Sequence, residues 1–201
     1  MKITVTPGIY NRQTFRAWLA ANHARAKECW IAVKRGRPAA GMFAYLDAVE
    51  EALCFGWIDS TTKRQCGGDT LQRFSPRRPG SAWSELNKAR CRRLIGLGLM
   101  TPAGAAVLPD LSPEAFRPDP EVVRALQANA AAWKHFCRFP RLYQCVRLDT
   151  IQIKKSHPAL FAARLQKLIE ASARGGLFGL WHDYGRLLPA EMPTSAARFS
   201  L

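Results

Sequence analysis

The sequence of 201 residues has no Cys-x-x-Cys pair and no cluster of cysteine with histidine. Its six cysteines stand at positions 29, 54, 66, 91, 137 and 145, and its histidines, His23, His135, His157 and His182, are scattered. That spacing excludes the common zinc frameworks, and neither a metal nor a cofactor is expected. A disulfide framework does not suit a chain of this size with apolar segments around most of its cysteines, so free thiols in a reducing compartment are expected. No run approaches the roughly 20 apolar residues of a membrane-spanning helix. The opening residues, MKITVTPGIYNRQTF, have neither the apolar core nor the cleavage pattern of a secretory leader, which makes a cytoplasmic location the expectation. There is no internal repeat, and no zinc-finger, RNP-type, KH-type or helix-turn-helix signature. Acids are also scarce: 15 Asp and Glu against 30 Lys and Arg leave a net charge of +15. Such an excess favours an anionic partner, such as nucleic acid, acidic lipid, lipopolysaccharide or an acidic protein surface, without choosing among them.

What is present is an ordinary globular composition, 48% hydrophobic and 22% charged, with one segment that concentrates the potential chemistry. That segment runs from Asp47 to Arg93. In its first part Asp47, Glu50, Glu51 and Cys54 are spaced three, one and three apart, which puts them on one stripe of a helix. Leu46, Val49 and Leu53 form one apolar row and Tyr45, Ala48, Ala52 and Phe55 another, so the helix is expected to be largely buried with one acidic seam. Gly56 ends it, because glycine takes the left-handed terminating conformation without steric cost. The simplest reading of the seam is a solvated face. The sharper one is a site in which a carboxylate binds a cation or transfers a proton. Cys54 reads as a buried structural cysteine, since neighbouring acids weaken it as a nucleophile.

In the second part Leu71, Arg73 and Ser75 alternate with Thr70, Gln72 and Phe74 as in a strand. Pro76 and Pro79 then bracket Arg77 and Arg78 and restrict the loop that carries them. Ser84 is a good N-cap for the helix beginning SELNKAR, with Asn87 at the position where a capping box has Glu or Gln. From Arg73 to Arg93 seven Lys and Arg stand against one acid, Glu85. A stiff arginine loop beside helix-terminal N–H groups suits an anion clamp, and a solvated basic face is the alternative.

Read in order, the chain predicts an α+β fold: a small antiparallel sheet with packed helices in the N-terminal part, followed by a helical C-terminal region. KITVT alternates like a strand, a helix follows over 13–23, and CWIAVK reads as a strand. Residues 58–64 and 70–75 form a hairpin across CGGD, with the acidic helix packed on the sheet. Leu86, Ala89, Arg93 and Leu97 make one stripe of the next helix, and Thr101-Pro102 opens a short one. The α+β part spans 1–108, a Pro-rich linker 109–120, a helical region 121–188 and a mobile tail 189–201. Asp119-Pro120-Glu121 starts one helix carrying Val122, Leu126, Ala130, Trp133 and Cys137. Arg141 to about Ile153 forms the next. Ser156-His157-Pro158 caps the last, which buries Leu160, Phe161, Leu165, Leu168 and Ile169. Trp133, Phe136 and Trp181 read as core.

The motifs EALCFGWIDS, LQRFSPRRPGSAWSELNKAR and GLMTPAG, with FRAWLAANHARAKECWIAV before them and ARLQKLIEASARGG after, resemble the YdeI/OmpD-associated family, also labelled bacteriocin-protection proteins. The similarity spans roughly Phe15 to Gly175. It implies protection against antimicrobial peptides and association with an outer-membrane porin, and it brings no agreed catalytic residues. The family is often described as periplasmic, at odds with the cytoplasmic expectation above.

Three functions follow in order of preference. The first is a non-enzymatic binding protein of the bacteriocin-protection type acting through an anionic partner, because a chain of charge +15 repels cationic peptides at long range. The second is an enzyme or small-anion pocket where the acidic helix meets the arginine loop. Its ligand-binding residues would be Glu51, Cys54, Trp57, Asp59, Gln72, Arg73, Arg77, Arg78, Trp83 and Asn87, with Glu51 the acid or base and Trp57 and Trp83 the walls. The third is sequence-independent nucleic-acid binding through Lys88, Arg90, Arg92, Arg93, Lys154, Lys155, Arg164 and Lys167. Neither a catalytic residue nor an oligomeric state is specified.

Overall fold

A computed structural model describes residues 4–39, 41–64 and 70–188. The elements run α1 (Arg12–Asn22), β1 (Cys29–Ala32), α2 (Tyr45–Cys54), β2 (Trp57–Arg64), β3 (Thr70–Pro76), α3 (Glu85–Gly96), α4 (Pro102–Ala105), α5 (Pro120–Gln127), α6 (Ala130–Phe136), α7 (Arg141–Gln152) and α8 (Pro158–Ala173). The chain divides into two compact units. One holds the chain up to Ala82 together with Arg90–Pro109, and the other holds Trp83–Ala89 and the chain from Asp110 on. This is the α+β arrangement the sequence predicts.

In the first unit β3 is central, in the order β1-β3-β2, and both pairings are antiparallel. Its middle place suits a strand in which Leu71, Gln72 and Phe74 are all buried, since only a strand covered at both edges satisfies its backbone on both sides. Phe74 meets Phe15 of α1 at 5.4 Å between ring centroids, and Leu19, Ile31, Leu53, Trp57 and Leu94 complete the core. Gly56 follows α2 at φ +73, as the sequence predicts. The CGGD reversal lies outside the described residues, as do the first two residues of KITVT and the tail from Pro189. The described end of KITVT, residues 4–6, is not a strand, although Thr6 donates its N–H to the Trp30 carbonyl at 2.8 Å.

The second unit packs Val122, Leu126, Phe136, Tyr143, Leu148, Ile151, Leu168 and Trp181 into one core. The Pro-rich segment is drawn onto it. Phe116 is buried in that core, and Gln152 accepts from the Asp119 N–H at 2.9 Å while donating to the Arg117 carbonyl.

Several periodicities are corrected. The helix expected from Val122 through Cys137 is two helices, because Asn129 leaves the helical conformation and its side chain accepts from the Ala132 N–H at 3.0 Å, starting α6 afresh. Cys137 is exposed. On α3 the buried positions are Glu85, Ala89, Arg90, Cys91 and Leu94, whereas Leu97, beyond its end, is 53% exposed. Leu160 on α8 is also exposed. Each was placed by spacing alone, which cannot say which face a neighbour covers. Asn129→Ala is expected to cost about 1 kcal/mol of stability, read as a lower urea midpoint, because it removes a cap at a junction with no other bend signal.

Candidate functional site

The acidic seam of α2 is not a solvated face. Glu50 and Glu51 are 2% and 1% exposed. The helix presents them to α1, where Arg12 and Arg16 stand one turn apart, and to the part of α3 that carries Arg93. Arg12 donates from Nε to Glu51 Oε1 at 2.7 Å and from Nη1 to Glu50 Oε2 at 2.8 Å, with Asp47 Oδ1 at 3.3 Å. Arg16 Nη1 donates to the other Glu51 oxygen at 2.7 Å, and its Nη2 to the Leu99 carbonyl at 2.9 Å. Arg93 Nη1 takes Glu50 Oε1 at 3.0 Å. Burial works against the charge of Arg12, but attraction to Glu50 and hydrogen bonds to Glu51 outweigh it and raise its pKa. Three carboxylates and three guanidiniums thus form one neutral cluster that ties α1 and α3 to α2.

This arrangement changes what Glu51 can do. Both of its oxygens accept charge-assisted hydrogen bonds from arginines, a structural role rather than that of a poised acid or base. Cys54 is buried, and its thiol is pushed up to about 11, first by burial and then by Glu51. Its burial agrees with the buried cysteine expected from the sequence.

A second polar group surrounds the sheet. A bulge in β2 between Asp59 and Thr62 interrupts the ladder at Ser60 and Thr61. The buried Gln72 amide donates to both of their carbonyls, at 3.2 and 3.3 Å, and its Oε1 accepts from Arg35 Nη2 at 2.9 Å. Arg35 lies 4.1 Å over the Tyr45 ring, and the Tyr45 hydroxyl donates to Asp59 at 2.5 Å. Burial, then Asp59, hold the Tyr45 phenol well above its ordinary pKa. Burial lowers the pKa of Arg77, and the nearby Asp59 carboxylate offsets part of that. Its N–H donates to the Gly56 carbonyl at 2.9 Å and its Nη1 to the Ala82 carbonyl, so the loop is tied down at both ends. Arg78 is exposed. Arg73 is engaged elsewhere, by Glu28 at 2.6 Å.

The structure therefore links Gln72 and Asp59 through Arg35 and Tyr45, leaves Arg77 within electrostatic reach of Asp59, and gives Glu51 a separate set of partners. Trp57 is core: it is 1% exposed, meets Trp18 edge-on at 5.7 Å and donates to the His23 carbonyl at 3.3 Å. Trp83 and Asn87 belong to the second unit, where the Asn87 N–H donates to the Ser84 hydroxyl that caps α3. A cavity of about 210 Å³ in the first unit is lined by Ile9, Val33, Met42 and Phe43 among others, and by none of the predicted site residues. Sequence reasoning missed Arg12, Arg16, Arg35 and Tyr45. The one usable signal was the spacing of Arg12 and Arg16 on a helix otherwise read for its apolar face. Among the described residues no group of His, Cys, Asp and Glu is arranged to hold a metal ion, and no helix is long and apolar enough to cross a membrane.

The second unit contains the segment that decides the family resemblance. Residues 115–175 match the family described as Bacteriocin-protection, YdeI or OmpD-Associated. The matched segment covers α5 to α8 and all but the last glycine of the ARLQKLIEASARGG motif. Residues 8–107 match a different family, described as Domain of unknown function (DUF8412). The motifs EALCFGWIDS, LQRFSPRRPGSAWSELNKAR and GLMTPAG lie within that second match, not within the YdeI/OmpD-associated segment. No curated protein and no solved structure matches the chain.

Proposed function

We propose that the chain is a non-enzymatic binding protein of the bacteriocin-protection type that works through an anionic partner. The observation that carries this reading is the neutral cluster on α2. Asp47, Glu50 and Glu51 are balanced by Arg12, Arg16 and Arg93, so the helix that might have offered a negative pocket to a cationic peptide offers none. The whole net charge of +15 is left to the rest of the molecule. At long range such a surface repels cationic antimicrobial peptides and attracts anionic envelope components. The same cluster weakens the enzyme reading, since the residue favoured there as acid or base already serves two arginines.

Purified protein is expected to bind lipopolysaccharide in calorimetric titration. Its affinity should fall by roughly tenfold as salt rises from about 0.01 M to about 0.1 M and the Debye length shrinks from about 30 Å to about 10 Å. No binding even at the lower salt, or affinity for a cationic peptide in its place, overturns the reading.

A further inference from the structure

We infer that the second unit carries a binding site for a phosphate monoester, in the hollow lined by Arg147, Thr150, Ile151, Arg164, Lys167 and Phe178. The cavity measures about 280 Å³ and lies within the unit, with its cationic side chains drawn from α7 and α8. On α7, Arg147 and Ile151 are one turn apart and so line the same face, Ile151 buried and Arg147 half-buried above it. On α8, Arg164 and Lys167 are three apart and likewise neighbours. Phe178, beyond the Gly175-Gly176 end of α8, brings an aromatic wall. The Arg147 guanidinium lies 5.0 Å and the Lys167 ammonium 5.1 Å from its ring centre. Gly179 lets the backbone pass close beside this group: it sits at φ +75, and a Cβ there would stand 2.9 Å from Arg147 Nη1.

The charge balance of this hollow differs from that of the first unit. Arg12, Arg16, Arg73 and Arg93 each meet a carboxylate, and in the second unit Lys88 and Lys155 do too. Among the described residues no carboxylate pairs with Arg147, Arg164 or Lys167. Arg164 spends one N–H on the Thr150 carbonyl in the last turn of α7, at 2.6 Å, which fixes its direction and leaves its other donors available. Arg147 is surrounded by rings and by a like charge. Burial, with Arg164 adding to it, lowers its pKa, although an arginine so placed stays protonated. Three cations gathered in one concave, partly apolar site repel one another unless an anion joins them.

The size and the donors set the ligand class. A cavity of about 280 Å³ lies just under the roughly 300 Å³ where drug-sized sites begin, so the occupant is small. Two guanidiniums and an ammonium match the several oxygens of a phosphate group better than the two of a carboxylate, and a dianion offsets more of the threefold charge. Phe178 and Ile151 leave room for an apolar ester body. This inference shares with the proposed function only the sign of the ligand's charge. The site itself is independent of the first unit.

The full chain is titrated with phenyl phosphate and inorganic phosphate by calorimetry, alongside the variants Lys167→Ala and Arg147→Lys. Lys167 is exposed, so its truncation leaves the fold intact, which circular dichroism checks. Phenyl phosphate is expected to bind the parent protein, and each variant to weaken it by about tenfold, Arg147→Lys because a point charge replaces a bidentate fork. Vesicles with and without phosphatidic acid separate a lipid headgroup from a free monoester as the source, and binding to either supports the site. Failure of every phosphate probe to bind, or binding that both variants leave unchanged, overturns it. Lipopolysaccharide binding that persists while the phosphate probes fail removes this site and leaves the proposed function standing. Loss of both removes both.

Discussion

Arg12→Met is expected to destabilise the protein by roughly 3 kcal/mol, the lower end of the range for breaking a buried ion pair. The lower end applies because Arg12 is itself a third exposed, which screens part of its interaction. Its loss takes one guanidinium from each of Glu50 and Glu51, both carboxylates 2% exposed and unable to recover the missing bond from water, while Arg93 stays with Glu50 and Arg16 with Glu51. The converse change is milder. Glu51→Gln leaves Arg12 with Glu50 and Asp47, and Arg16 with the Leu99 carbonyl, and both arginines can rehydrate. It should cost about 1–2 kcal/mol. Urea denaturation with an unchanged slope measures both. The ordering is the decisive part: if Glu51→Gln proves costlier than Arg12→Met, the acids are not the buried partners described here.

The second large effect is expected at Gly104. Helix α4 is short, and it is held against the end of α2 by Thr101, whose hydroxyl and N–H both donate to the Cys54 carbonyl, at 2.6 and 3.2 Å. That approach brings Gly104 so close that an added methyl group would stand 2.6 Å from the Cys54 carbonyl carbon and from the Met100 sulfur. The sulfur can swing away but the Cys54 backbone cannot, since it closes the helix that bears Glu50 and Glu51. Gly104→Ala should therefore cost about 3 kcal/mol, the upper end for overpacking. Gly96→Ala, on α3 with nothing within 4 Å of its added carbon, should stay within about 0.5 kcal/mol of the parent. Equal urea midpoints for the two variants would show that α4 does not pack this tightly.

The same contrast runs through the legibility of the whole molecule. The stripe of Asp47, Glu50, Glu51 and Cys54 was readable because helical spacing is a local property, and so were Gly56 as its end and Ser84, Thr101 and Asp119 as caps. Each capping bond joins residues two or three apart in the chain. The two helices made from one periodic run show the limit, because Asn129 competes with continuation through its own side chain and hydrophobic spacing does not register that. Gln72 shows it again. A glutamine in a strand gives no hint that a bulge across the ladder will free two carbonyls for it to bind.

By itself the sequence determined the α+β class and most of its helices and strands, the excess of positive charge, the lack of a Cys-x-x-Cys or clustered Cys/His pattern and the resemblance of its C-terminal part to the bacteriocin-protection family. The tertiary structure alone decided who neutralises whom. Arg12 and Arg16 lie 35 to 39 residues from the carboxylates they hold, and no local pattern encodes a partner across that distance. For the same reason Arg147, Arg164 and Lys167 look in the sequence like any other surface cations. Only the packing of α7 with α8 gathers them in one hollow, because electrostatic balance depends on distance in space, which side-chain packing sets and composition does not.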